Sequence, residues 1–251
     1  MTLREKDHFS RVSHAYAESR PRYPRELFAW LAQVCSAHDL AWDCATGNGQ
    51  AAVDLAPFFK GVVATDLSAE QIARAIPAPG VTYRAAPADA SGLDDASVDL
   101  VTVAQALHWF DLDRFYAEVR RVVKPGGIVA VWTYGIHTTA DAAIDARGRH
   151  FYDATVGPYW PPERHHVEAG YSTLPFPFEL IAAPAFAMHA DWSFAQLLGY
   201  LRSWSATGRF IREQGYDPVV ALKEQIAPLW GVPSATRRIT WPLTLLAGRL
   251  T

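Results

Sequence analysis

Asp43-Cys44-Ala45-Thr46-Gly47-Asn48-Gly49-Gln50 sets an acidic residue ahead of a turn with two glycines. Glycines at that spacing let the backbone bend sharply and approach a ligand, and the free amides of a following helix face the same space. A glycine turn alone is common and serves many loops that bind nothing. Asp66 changes its weight. It closes the next short apolar run about twenty residues on, where a carboxylate reaches the hydroxyls of a bound ribose. A turn-forming or capping Asp is the plainer reading, but Ser68 already supplies the cap for the helix that follows. A third segment, Ala104-Gln105-Ala106-Leu107-His108-Trp109-Phe110-Asp111, sets His108, whose ordinary pKa lies near neutral, beside an aromatic face. These residues suit the holding of a nucleoside-bearing cofactor, with proton transfer close to it.

The elements that must position them alternate. Leu27, Phe28, Leu31, Val34 and Cys35 recur at helical spacing over residues 25–37. An apolar run enters Ala41-Trp42-Asp43, residues 50–59 read as a helix, and Gly61-Val62-Val63-Ala64-Thr65-Asp66 reads as a short buried strand. Ser68-Ala69-Glu70-Gln71 has the form of a capping box and opens another helix. Strands are predicted at 82–84, 98–103 and 128–134, and a helix at 112–123 stops at Lys124-Pro125-Gly126-Gly127. Strand and helix alternating in this way imply a mostly parallel sheet with right-handed crossovers. Beyond residue 135 the pattern loosens: an Ala- and Asp-rich helix, a Pro- and aromatic-rich loop over 156–177, a strand at 178–188, helices at 194–204 and 218–226, and a last strand at 237–246. Near the start, Arg20-Pro21-Arg22-Tyr23-Pro24 ends any helix begun at Phe9, so residues 1–24 read as an arm.

Composition narrows the classes. The chain has 251 residues, half of them hydrophobic and a fifth charged, which suits a folded soluble domain and not a disordered one. A formal charge of −3 gives no global basic field for DNA or RNA, so nucleic acid is not expected as a partner. Cys35 and Cys44 are the only cysteines and form no CxxC or Cys/His cluster, so no disulfide framework and no metal site is expected. The polar start lacks an apolar leader, and no stretch reaches the roughly 18 apolar residues of a membrane span. A cytoplasmic protein, monomer or homodimer, is expected.

Over about residues 40–135 the chain resembles the class I S-adenosylmethionine-dependent methyltransferases, the type 11 domain among them. Asp43-Cys44-Ala45-Thr46-Gly47-Asn48-Gly49 matches the family's acidic residue and Gly-x-Gly-x-Gly turn, with Ala45 in place of the first glycine. Asp66 matches the ribose-binding acid and Ala88-Asp89 an Ala-acidic pair that holds the adenine edge. Val98-Asp99-Leu100-Val101-Thr102 and Arg121-Val122-Val123-Lys124-Pro125-Gly126-Gly127 match the fourth- and fifth-strand motifs. The segment Gln105 to Phe110 resembles the Gln-Ala-x-His-Trp-Phe signature of a subgroup that includes trans-aconitate methyltransferase-like proteins. Tyr16-x-x-x-Arg20-Pro21-x-Tyr23-Pro24 and Tyr200-Leu201-Arg202-Ser203-Trp204-Ser205 extend that likeness to both flanks.

The resemblance implies a Rossmann-like fold: a seven-stranded, mostly parallel sheet with helices on both faces and a C-terminal helical lid insertion. It implies a cofactor-covering arm over 1–24, a cofactor-binding core over 25–135, and the rest of the sheet with lid helices over 136–251, in one integrated domain. S-adenosylmethionine is the implied cofactor, with Tyr16, Arg20, Asp43, Ala45, Gly47, Gly49, Asp66, Leu67, Ala88, Asp89, Gln105 and Trp109 as its contacts. A small-molecule methyl acceptor is expected beside His108, Tyr134, His137, Tyr200, Arg202 and Trp204.

Methyl transfer from a sulfonium is an in-line displacement that positioning alone can drive. O-methylation of a carboxylate is the expected reaction; it needs no base but wants a cation, for which Arg20, Arg22 and Arg202 are available. A hydroxyl or amine acceptor makes His108 the candidate catalytic base, whereas the plain alternative is a His that orients the loop. Two other readings share the cofactor turn: a protein that binds S-adenosylmethionine or a nucleotide without catalysis, and an NAD-dependent oxidoreductase. None of Lys6, Lys60, Lys124 and Lys223 follows a Tyr by four residues, which removes the short-chain dehydrogenases from the second.

Overall fold

The computed structural model describes residues 21–251. Tyr16 and Arg20 lie outside the described residues. In chain order the elements are α1 (Arg25–Val34), β1 (Leu40–Cys44), α2 (Gln50–Leu55), β2 (Gly61–Asp66), α3 (Ala69–Ala73), β3 (Val81–Ala85), β4 (Val98–Ala104), α4 (Leu112–Val122), β5 (Val123–Tyr134), α5 (Ala142–His150), α6 (Arg164–Glu168), β6 (Glu179–Leu180), β7 (Phe186–Ser193), α7 (Phe194–Arg202), α8 (Ser205–Gln214), α9 (Val219–Trp230) and β8 (Thr236–Arg249). Two compact units can be distinguished. Tyr23–Gly135, Glu163–Ala187 and Pro242–Thr251 form a sheet unit, and Ile136–Pro162 with Met188–Trp241 belong to a helical unit.

In the sheet, β3-β2-β1-β4-β5-β8-β6 lie side by side, and β7 also pairs with β8. Neighbours among β1 to β5 run parallel, while β8 is antiparallel to β5 and β6. This is the mostly parallel Rossmann-like sheet expected, with eight strands where seven were predicted. The extra strand arises because 178–188 breaks into β6 and β7: Pro184 offers no N–H to a ladder, and the chain leaves the sheet around it.

Alternation along the buried strands builds two core faces. Trp42, Val63, Val101, Val103, Val129 and Val131 meet Phe115, Tyr116, Val119 and Val122 of α4 on one side. Ala41, Val62, Ala64, Leu100, Ile128, Ala130 and Trp132 meet Leu27, Phe28 and Leu31 of α1 and Ala51, Ala52 and Leu55 of α2 on the other. Each large side chain so buried contributes about 1.5–3 kcal/mol, which fixes the strand ends against which the loops are hung. Asp111 caps α4, accepting from the Arg114 N–H at 3.3 Å. The expected stop at Lys124 to Gly127 is placed differently. α4 ends at Val122, Val123 already pairs with Val98, and the register shifts before Ile128 meets Leu100, with Gly126 at φ +77° in the irregular stretch.

In the helical unit Asp141 caps α5 through the Ala143 and Ile144 amides, and Ser193 with Gln196 forms a capping box on α7. Two helices stand where none was predicted: α6 within the loop region of the sheet unit, and α8 after Trp204. No described helix is long and apolar enough to cross a membrane.

Candidate functional site

Asp43 sits next to last in β1, and the parallel register sets it beside Thr102 of β4 and Ala64 of β2. Its carboxylate is fully buried, with Oδ2 accepting from Thr46 Oγ1 at 2.5 Å and Oδ1 from Thr102 Oγ1 at 2.7 Å. Burial pushes its pKa up to about 6, with these hydrogen bonds pulling the other way. No Lys or Arg among the described residues pairs with it.

Beyond Asp43 the chain turns through three left-handed residues, Ala45 at φ +56°, Gly47 at +59° and Gly49 at +86°. Ala45 thus adopts a backbone that favours the glycine it replaces, at a cost of about 1–2 kcal/mol. A Cβ on Gly47 would meet nothing within 4 Å, so space over the turn is open to a ligand. A Cβ on Gly49 would run into the ring of Tyr83, whose hydroxyl donates to Ile76 O at 2.7 Å.

Asp66 ends β2, half-buried. Its Oδ2 accepts from the Gly47 N–H and its Oδ1 from the Ser68 N–H, both at 2.9 Å. One carboxylate therefore ties the glycine turn to the next loop while each oxygen keeps a second lone pair for a ribose hydroxyl. Leu67 follows, 78 % exposed, an apolar ledge beside that carboxylate. Ala88 packs partly buried on the core, and Asp89 pairs with Arg114 at 2.7 Å. The strand ends thus gather Asp43, Ala45, Gly47, Gly49, Asp66 and Leu67 on consecutive elements.

At the tip of β4, Gln105 takes a left-handed φ of +58°. Expected at the cofactor, its amide is directed at β5: Oε1 accepts from the Tyr134 N–H at 2.7 Å and from Thr133 Oγ1 at 2.9 Å, and Nε2 donates to Tyr134 O at 3.1 Å. This fixes Tyr134, a residue expected at the acceptor, through its peptide. A short 3-10 turn, Leu107–Trp109, follows. Leu107 is buried beneath it, and Trp109 is 57 % exposed with its ring 4.8 Å from that of His108. His108 Nδ1 lies 3.0 Å from the hydroxyl of Tyr171. Burial first, then the positive charges of Arg164 and His166, bring the His108 pKa down to about 4, so the ring is neutral at pH 7.

The other expected acceptor residues lie in the helical unit. His137, Tyr200 and Trp204 are brought together there, with Trp241, at ring separations of 5.7 to 6.2 Å from His137. Burial holds His137 neutral, with its pKa down to about 4, and its Nδ1 makes no hydrogen bond. Tyr200 accepts from Trp241 Nε1 at 3.0 Å. Arg202 stands apart from this cluster in its bonding: its Nε donates to Asp217 Oδ2 at 2.6 Å. Sequence reasoning missed Thr102, Thr133 and Tyr171. The two threonines lie on strands that reach their partners only through sheet register, and Tyr171 falls in the Pro- and aromatic-rich loop, where nothing local sets it apart from its neighbours.

The open space over Gly47, the two carboxylates without a counter-ion among the described residues and the apolar ledge at Leu67 fit S-adenosylmethionine: hydroxyls for Asp66, an adenine face for Leu67, positive charge toward Asp43. Comparisons with known proteins agree. A methyltransferase domain profile matches residues 42–131. A Dictyostelium discoideum protein provisionally named a methyltransferase is 34% identical over 223 residues, 88% of this chain and 85% of its own. The structure of a provisionally named type II methyltransferase from Anaeromyxobacter dehalogenans superposes with a TM-score of 0.88 at 47% identity, covering 92% of this chain and 98% of that one. A Saccharomyces cerevisiae protein provisionally named an S-adenosylmethionine-dependent methyltransferase is 28% identical over 135 residues, 47% of this chain and 44% of its own. With a relative this similar along most of both chains, and the cofactor turn and ribose acid in place, the chain belongs to the class I methyltransferases, whose methyl donor is S-adenosylmethionine.

Proposed function

We propose that this protein methylates a small molecule, in the cytoplasm and as a monomer or homodimer, rather than nucleic acid. The observation that carries the reading is the pair Asp43 and Asp66, at the ends of adjacent parallel strands, each hydrogen-bonded and neither facing a cation among the described residues. When bound, S-adenosylmethionine supplies an electrophilic methyl group on a positively charged sulfur. The chain's own part is to hold that charge near its carboxylates and to align the acceptor.

Two acceptor chemistries divide the proposal. A carboxylate, as in the trans-aconitate methyltransferase-like subgroup, is already ionised and calls for a guanidinium; of the three arginines expected for it, Arg202 is engaged by Asp217 and Arg20 lies outside the described residues. A hydroxyl or amine calls for a hydrogen-bond acceptor at the reacting atom, and His108 is neutral and anchored through one ring nitrogen only. The second chemistry has the more specific support. His108 then accepts the proton as the new bond forms.

Calorimetry of the purified chain with S-adenosylmethionine and with NAD tests the donor: heat from the former and none from the latter is expected, and the reverse overturns the proposal. Turnover of matched phenols, amines and carboxylic acids then tests the acceptor. With S-adenosylmethionine saturating, methylation of a phenol is expected to be unchanged between pH 7 and pH 8, since the His108 pKa of about 4 and the Asp43 pKa of about 6 both lie below that range. Methylation of the acids alone would restore the carboxylate reading, and no turnover of any class would favour a binding protein.

A further inference from the structure

We infer that the helical unit binds a flat aromatic molecule carrying a neutral hydroxyl, its ring among the aromatic faces around Trp204 and its hydroxyl on Nδ1 of His137. That this molecule is the methyl acceptor rests on the reading above; that the helical unit holds it does not.

Two features of the helical unit, each unfavourable to the fold by itself, point to a ligand. The first is His137. Its ring is buried against Tyr200, Trp204 and Trp241, and Nδ1 has no hydrogen-bond partner among the described residues. Burial keeps the imidazole neutral, so Nδ1 carries either a proton or a lone pair, and either one, left unmet away from water, destabilises the fold. The segment is held so that the ring cannot easily turn out to water. Thr138 exchanges both peptide hydrogen bonds with Thr240 at 2.9 Å, and Thr139 gives its N–H and its hydroxyl to Asp145 of α5, each at 2.7 Å.

The second is Gly148, nearly one turn beyond Asp145 in α5. It is buried, and after proline glycine is the residue least suited to a helix interior. Packing does not require it, because a Cβ there would meet no described residue beyond its own helix within 4 Å. A helix without a side chain at a buried position, facing space that no described residue fills, keeps room for a guest. Phe151 and Tyr152, three and four residues on, continue that helix face and are both buried. A π-helical turn over Phe151–Thr155 is closed by the Val156 N–H on Phe151 O at 2.9 Å. Both rings meet Trp204, at separations of 6.1 and 5.5 Å.

Trp204 joins the two features, since its ring also lies 6.2 Å from that of His137 and 5.7 Å from that of Tyr200. The open face of α5 and the unmet nitrogen therefore border one aromatic cluster. Such faces hold planar rings stacked or edge-on. The polar end of the ligand is set by His137. A hydroxyl both donates and accepts, so it serves Nδ1 in either tautomer. A carboxylate only accepts, and it would bring a charge to a place where burial already keeps an imidazole neutral.

The probes are 2-naphthol, naphthalene and 2-naphthoate, each titrated by calorimetry into the full chain at pH 7 without S-adenosylmethionine. Binding of 2-naphthol is expected, with naphthalene weaker and 2-naphthoate weakest; no binding of 2-naphthol, or tighter binding of 2-naphthoate, overturns the inference. His137→Phe keeps a buried ring and removes the nitrogen. It is expected to weaken 2-naphthol about 10-fold and to leave naphthalene unchanged, whereas equal losses on both, or none on either, overturn the His137 contact. Gly148→Leu puts a side chain into the open space. Its melting temperature is expected to hold or rise, since leucine suits a helix better than glycine, while 2-naphthol and naphthalene both lose at least about 10-fold in affinity. Should that variant misfold, Gly148→Ala is expected to raise the melting temperature and weaken 2-naphthol. Unchanged binding of 2-naphthol in the folded variant overturns the site. With a phenol as methyl acceptor, His137→Phe and Gly148→Leu are each expected to raise KM for the phenol about 10-fold, with KM for S-adenosylmethionine unchanged. Binding of 2-naphthol without methylation of any phenol counts against the methyl-transfer reading and leaves the site in place.

Discussion

Asp39, Asp99 and Glu118 toward the amino edge of the parallel sheet and Asp43 and Asp66 at its carboxyl edge are treated in opposite ways. Asp99 accepts from Lys124 Nζ at 2.7 Å and from the Asp39 and Leu40 amides, and Asp39 lies between Lys60 and Lys124 at 2.7 and 3.2 Å. Glu118 takes Arg121 at 2.7 Å and both polar hydrogens of Ser91, and the guanidinium holds its pKa down to about 2. At the carboxyl edge Asp43 and Asp66 are met, among the described residues, only by hydroxyls and peptide N–H groups. Amides and hydroxyls satisfy lone pairs but do not cancel a charge. The difference separates acids that stabilise the fold from acids left negative for something that arrives positive, as S-adenosylmethionine does.

The contrast is broken most sharply at Asp66. Asp66→Ala is expected to lower affinity for S-adenosylmethionine by at least about 100-fold, or ~2.7 kcal/mol, with the circular dichroism spectrum and melting temperature nearly unchanged. Calorimetry that finds the affinity retained would place the ribose elsewhere. Of similar size is the pH response of Asp43. Its folded pKa of about 6 lies above the unfolded value, so the folded chain binds the extra proton and stability falls as pH rises from about 4 to about 6. The fall from this group is about 3 kcal/mol. Urea unfolding across that range should show a slope in the unaltered chain that Asp43→Asn removes; equal slopes would mean that Asp43 is charged in the fold at low pH. Lys124→Met is the smaller and opposite case. It strands the buried Asp99 and is expected to cost about 2 kcal/mol of stability while leaving cofactor affinity alone. A loss of affinity there would show that the two edges are coupled.

Much of the sheet unit was legible because its signals are local. Apolar runs of five or six residues, the Ser68 cap and the spacing from the glycine turn to Asp66 are all readable within one strand-and-helix step. What failed to show was either diluted or distant. α8 buries only Ala206, Thr207 and Phe210 and carries Gly208 midway, so its apolar stripe is faint. α6 spans five residues, too short for a period to develop. Within the site, the glycine-like backbone of Ala45 was implied by its place in the motif, whereas the inward turn of Gln105 depends on Thr133 and Tyr134, 28 and 29 residues further on. Asp43 meets Thr102 across 59 residues of sequence, and nothing near either one announces the pairing.

Main-chain pairing between β4 and β5 ends at Ala104 and Trp132, yet the sheet does not fray there. The Gln105 side chain carries an amide of the same shape as a peptide, and by bonding both N–H and C=O of Tyr134 it lays one more rung where the backbone has already turned away. A tip stitched in this way resists the breathing that opens strand ends to solvent. The Tyr134 amide hydrogen should therefore exchange with deuterium on the slow timescale of the strand interior, and His108 inherits a mount as stiff as the sheet itself.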